Sequence, residues 1–99
     1  MKASFQDIIQ SERPVLIDFF ATWCGPCQYQ APILEEVASE MGEGARILKI
    51  DVDRNQAVAA QYGVRSVPTL MIFKGGEVMW REAGVKEKEQ LVTLLKSFQ

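Results

Sequence analysis

The chain has no histidine, and only two of its 99 residues are cysteine. With no third cysteine and no imidazole, a zinc site on this pair would lack its usual further ligands. No apolar run approaches the roughly 20 residues that cross a bilayer as a helix, so no membrane span is expected. Neither sign of charge is in large excess: the net charge is −2 and the sequence pI about 5.1. That balance gives no electrostatic case for binding nucleic acid or an anionic membrane surface. Repeats, low-complexity tracts and linker-like stretches are absent too. The start, Met1-Lys2-Ala3-Ser4-Phe5-Gln6-Asp7, has no apolar core segment and no cleavage site for export. A reducing cytoplasm is therefore the expected setting, where a lone cysteine pair serves catalysis or metal binding more often than structure.

A hydrophobic content of 47% over 99 residues suits one compact domain, 1–99, with its own core. Ser4 precedes Phe5, Ile8 and Ile9, a short helical stripe. Pro14 introduces Val15-Leu16-Ile17-Asp18-Phe19-Phe20, a nearly continuous apolar run expected as a strand buried on both faces. Leu34, Val37, Ala38 and Met41 form one face of a helix ending at Gly42 or Gly44, with Pro32 expected to kink it. Ile47 to Val52 is a second strand, and Asn55 is a candidate cap for a helix carrying Val58, Ala59 and Tyr62. Thr69–Phe73 and Val78–Arg81 flank Gly75-Gly76 as a hairpin. Leu91, Leu94, Leu95 and Phe98 close the chain at helical spacing. The expected order is α-β-α-β-α-β-β-α: a parallel strand pair joined by a right-handed crossover, then an antiparallel hairpin on the same sheet, with helices over both faces.

Trp23-Cys24-Gly25-Pro26-Cys27 lies between the first strand and the long helix. A Cys-x-x-Cys pair there is a redox signature. Cys24 falls in the first helical turn, where unsatisfied N–H groups and the helix dipole favour an anion, and the thiolate is the nucleophile. The dipole supplies about 0.3–1 kcal/mol, less than one pKa unit at about 1.4 kcal/mol each, so hydrogen bonds must add to it. Three residues on, Cys27 is on the same face and close enough to form a small disulfide ring. Pro26 fixes φ where its missing N–H costs nothing. Inert packing of two small apolar side chains is the bland alternative, and Gly-Pro between them is an odd choice for it.

The sequence resembles the thioredoxin family, and the likeness runs nearly the whole chain. Beyond the motif it rests on Asp18-Phe19, Pro32, Lys49, Asp53, Val67-Pro68-Thr69, Phe73-Lys74, Gly75-Gly76-Glu77-Val78 and Gly84. The resemblance implies a thioredoxin fold: an α/β structure with a mixed four-stranded sheet, helices on both faces, and the family's usual first edge strand missing. The strand at 47–52 would then be an edge, bare or paired in a dimer, with Arg46 and Lys49 discouraging edge pairing. Three further departures stand out. Phe20 takes a position the family usually gives to tryptophan, Gln28 one often held by lysine, and Ser66 one often held by glycine.

The implied activity is protein-disulfide reduction by thiol–disulfide exchange. Cys24 is the nucleophile, Cys27 the resolving thiol, and the pair forms the Cys24–Cys27 disulfide; Gly25 and Pro26 frame it. Asp18, an acid inside an apolar strand, is costly unless protonated or paired. Lys49 interrupts the neighbouring strand in the same way, which makes it the Asp18 partner, and Asp18 becomes the candidate general base for Cys27. The bland alternative turns both side chains to solvent. Trp23, Val67, Pro68 and Gly84 would bind substrate, with Gly25 on the same flat surface. The Val67–Pro68 bond is expected cis, with Pro68 also keeping metal from the thiols. No cofactor and no metal are implied. The partners are protein disulfide substrates and a thioredoxin reductase or equivalent electron donor, with neither nucleic acid nor membrane. Gly-Pro between the cysteines looks like the reducing members of the family, since oxidising relatives generally carry histidine there. The alternative from another class is a binding or assembly module whose redox activity is incidental.

Overall fold

The computed structural model describes residues 4–99. Helix α1 (Phe5–Ile9) opens on a capping box: the Ser4 hydroxyl accepts from the Asp7 N–H, and the Asp7 carboxylate accepts from the Ser4 N–H. Strand β1 (Val15–Phe20) follows, then α2 (Gly25–Met41) and a single 3₁₀ turn at Gly42–Gly44. Gly42, at φ 53°, ends α2 in a conformation other residues rarely adopt. Pro32 sits within α2, which continues through it to Met41. The remaining elements are β2 (Arg46–Asp51), α3 (Gln56–Gln61), β3 (Thr69–Lys74), β4 (Glu77–Ala83) and α4 (Lys88–Ser97).

The four strands form a mixed sheet in the order β2-β1-β3-β4. β1 and β2 run parallel, with Asp18 opposite Lys49, and β3 is antiparallel to both β1 and β4. The β3–β4 turn places Gly75 at φ 59° and Gly76 at φ 83°, the pair of positive angles a two-residue hairpin turn demands. Their N–H groups donate to the carbonyls of Ser11 and Ile9 at 2.9 Å, tying the hairpin to the end of α1.

Helices cover both faces. On one, Leu16, Leu70 and Ile72 meet Leu34, Val37 and Met41 of α2 and Leu91, Val92 and Leu95 of α4. On the other, Ile17, Phe19, Met71 and Phe73 meet Ile9, with Phe5, Val58 and Tyr62 packed at the margin. β1 is central, so its alternation feeds both cores; this is why it shows a continuous apolar run broken only by Asp18. Each large side chain fully buried here contributes about 1.5–3 kcal/mol of hydrophobic stabilisation. Among the described residues β2 pairs with β1 alone and forms one edge of the sheet. The expectation of a missing first strand falls in part on residues 1–3, outside the described residues.

Candidate active site at the head of α2

Cys24 occupies the N-cap of α2, one residue before the first turn where its spacing put it. Its backbone is extended (φ −91°, ψ 115°), and Sγ accepts the Cys27 N–H at 3.1 Å. The sulfur thus takes the place of a capping serine or aspartate oxygen, aligned with the positive end of a 17-residue helix. Cys24 and Cys27 are joined as a disulfide with Cα atoms 5.3 Å apart, inside the range such bridges use. Gly25 and Pro26 are the two residues between, at the start of the helix.

Both sulfurs are shielded: Cys24 is only 4% accessible, against 3% for Cys27. For Cys24 the cause is long-range: the segment before β3 folds over it, bringing the Val67 carbonyl oxygen to 3.7 Å from Sγ. The Val67–Pro68 peptide is cis. Gly84 donates its N–H to the Pro68 carbonyl at 2.8 Å with φ 91°, an angle that suits glycine and strains other residues. Thr69 Oγ1 donates to the Ser66 carbonyl at 2.7 Å, bracing the same turn.

Trp23 stands out from this surface, 72% exposed, with Nε1 donating to Asp53 Oδ2 at 2.9 Å. Between its ring and the cis-proline turn lies a hollow of about 150 Å³, lined by Trp23, Val52, Val64, Arg65, Ser66 and Val67. Val52, Val64 and Arg65 escaped the sequence reading because they come from two separate loops. Gln30 was missed as well. It is fully buried in α2 and clamps the Lys86 backbone, with Nε2 donating to its carbonyl at 3.1 Å and Oε1 accepting its N–H at 2.7 Å. Its only sequence signal was its position three residues beyond Cys27.

Asp18 is fully buried, and neither carboxylate oxygen has a hydrogen-bond partner among the described residues. Burial pushes its pKa up to about 6, while the Lys49 charge pulls in the opposite direction. Lys49 is its register neighbour on β2 but is exposed, contrary to the expected inward role. The physical reason is the sheet edge: alternation aims Lys49 at the α2 face, and no further strand among the described residues covers that margin. Its Nζ lies 4.4 Å from the centroid of the Phe20 ring. Phe20 and Lys49 share a second hollow, of about 320 Å³, with Ala21, Thr22, Cys27, Gln28 and Ala31.

A capping sulfur and a second cysteine one turn on, joined as a disulfide, form a cysteine pair suited to thiol–disulfide exchange at the head of α2. The family model "Thioredoxin" matches residues 1–97. The chain belongs to the thioredoxin family. It is 54% identical over 85 residues to the thioredoxin of Bacillus subtilis, covering 86% of this chain and 82% of that protein. It is 47% identical over 88 residues to the bifunctional thioredoxin reductase/thioredoxin of Mycobacterium leprae, covering 89% of this chain and 19% of that much longer protein. Among solved structures, a mutant thioredoxin from Halobacterium salinarum superposes with a TM-score of 0.87 at 41% identity, covering 99% of this chain and 85% of that one. The protein is a thiol–disulfide oxidoreductase of the thioredoxin type.

Proposed function

We propose that this protein reduces protein disulfides through Cys24 as nucleophile and Cys27 as resolving thiol. The observation that carries the assignment is the Cys24 sulfur in the N-cap position, accepting the Cys27 N–H, where an anion is favoured. In the dithiol form the Cys24 thiolate attacks one sulfur of a substrate disulfide, and the other substrate sulfur leaves as a thiolate. Cys27 then loses its proton and attacks Cys24 Sγ, releasing the second substrate sulfur. Two electrons pass to substrate, and the Cys24–Cys27 disulfide remains.

Asp18 takes the Cys27 proton, directly or through water. A carboxyl with its pKa near 6 is ionised at neutral pH yet close enough to it to accept and return a proton. The substrate docks as an extended segment on Trp23, Gly25, Val67, Pro68 and Gly84, with the Val67 backbone offered as in strand addition. A reductase or a small dithiol must regenerate the centre. The relative that carries both names on one chain supports a thioredoxin reductase as that donor. The scarcity of cysteine and the need for a reducing supply favour a cytoplasmic location.

The deciding experiment reduces a protein disulfide with dithiothreitol as electron source. Wild type turns over, Cys24→Ser loses activity to background, and Cys27→Ser accumulates a covalent mixed disulfide on Cys24. Full activity in Cys24→Ser would move the protein out of this mechanism and make its thiols incidental.

A further inference from the structure

Phe20 packs against the cluster of Ala21, Cys24 and Cys27 and also lies against the Lys49 ammonium. We propose that Phe20 is a positioning residue: its ring holds the Lys49 ammonium over the hollow that reaches Cys27, keeping that charge in range of Asp18. This rests on the reading of Asp18 as the group that serves Cys27.

Lys49 is an exposed side chain on an edge strand, so nothing but its own contacts fixes its end. It has two directions available, because it lines two neighbouring hollows. One contains Phe20, Cys27 and Gln28; the other contains Ala31, Leu34, Glu35 and Ile47. The second of these hollows carries a carboxylate, Glu35, on its lining. Nζ is found 4.4 Å from the Phe20 centroid, within the distance at which a cation is drawn to a ring face.

The charged and titratable groups on this face are few. Asp18 is contributed by β1, Lys49 and Asp51 by β2, and Cys27 and Glu35 by α2. β3 offers only Leu70 beside Asp18, with Glu82 of β4 beyond it. Asp51 is engaged by Arg54 at 3.9 Å. Glu82 is engaged by Lys86 at 3.6 Å, which leaves Lys49, the register neighbour of Asp18, as the cation whose charge acts on the buried carboxyl. An aliphatic residue at 20 would leave the flexible side chain free to move to solvent or to Glu35.

The test is a double-mutant cycle read by carbon NMR titration of the Asp18 side-chain carboxyl, in wild type, Phe20→Leu, Lys49→Met and the double variant. The expected result is an upward move of the Asp18 midpoint in Phe20→Leu, because the ring acts on Asp18 only by holding the Lys49 charge that lowers it. Lys49→Met should move it further in the same direction, and adding Phe20→Leu to Lys49→Met should change nothing. Phe20→Tyr, which keeps the ring, should titrate as wild type and serves if Phe20→Leu folds poorly. An unmoved midpoint in Phe20→Leu overturns the proposal. An equal move with and without Lys49 also overturns it and makes Phe20 a packing residue. The titration needs no substrate, so it stands apart from whether Asp18 serves Cys27, which the rate of mixed-disulfide resolution in Asp18→Asn decides.

Discussion

On the face of the sheet under α1 and α3, Ile17, Phe19, Met71 and Phe73 are buried, and their neighbours Phe5 and Tyr62 complete an aromatic cluster. The Phe73 ring meets Phe5 at 5.6 Å and Tyr62 at 5.3 Å, both edge to face. On the face under α2 and α4, the same strand β1 contributes Leu16 and then Asp18, a fully buried acid without a hydrogen-bond partner among the described residues. On the α1 and α3 face β1 gives every inward position to apolar contact, and the buried polar strand residue there, Thr69, is uncharged and hydrogen-bonded to the Ser66 carbonyl. On the α2 and α4 face β1 yields one inward position to a buried carboxyl that lowers stability. The fold can carry that cost because the opposite face does not share it.

Removing the largest contribution on the apolar face should have the largest effect. Phe73→Ala deletes a buried ring and two aromatic contacts, and truncations of this kind cost about 3–5 kcal/mol. Small domains hold about 5–15 kcal/mol in all, so the variant should lie near its unfolding threshold in urea. A loss under about 1 kcal/mol would show that this face is not the stabilising one.

The opposite face makes the converse prediction. Asp18 has its pKa raised to about 6 in the folded protein, above the unfolded carboxyl value of about 3.9. The folded state therefore binds the extra proton between these values, and stability falls as pH rises from about 4 through about 6. Asp18→Ala removes that penalty. Relative to wild type it should gain up to about 3 kcal/mol on going from pH 4 to pH 8, measured by urea unfolding of the oxidised protein. A difference that stays flat with pH would mean Asp18 is ionised at no cost. The functional consequence of keeping the acid is tested by Asp18→Asn, whose mixed disulfide should be resolved about tenfold or more slowly near neutral pH. Equal rates would remove Asp18 from the mechanism.

This contrast is partly legible in the sequence alone. Asp18 stands out because a strand buried on both faces tolerates no other charge, and the two cysteines are placed by their spacing ahead of a helical stripe. Alternation also fixes the face on which Lys49 lies. It cannot say whether that face is covered at Lys49, because coverage depends on which strand ends the sheet. Burial of Cys24 is hidden for a similar reason: the Val67 carbonyl that covers it is 43 residues away in sequence. The Gln30 clamp on Lys86 spans 56 residues, and no local period announces a contact at that range.

The smallest effect on stability should come from the most exposed part of the site. The Trp23 indole is 72% exposed, so its burial contributes little, and what Trp23→Phe removes is the bond to Asp53 at 2.9 Å. A hydrogen bond between exposed groups contributes about 0.5–1.5 kcal/mol at most, and the melting midpoint should barely move. The ring also forms one wall of the hollow beside Val67, where an extended substrate would lie. Without the bond to Asp53 that wall is free to rotate, and a protein disulfide should be reduced several-fold more slowly at limiting concentration. A small aromatic disulfide, which has no chain to lay in the hollow, should react with Cys24 at the wild-type rate. Equal slowing of both substrates would place the role of Trp23 at the sulfur itself and not in docking.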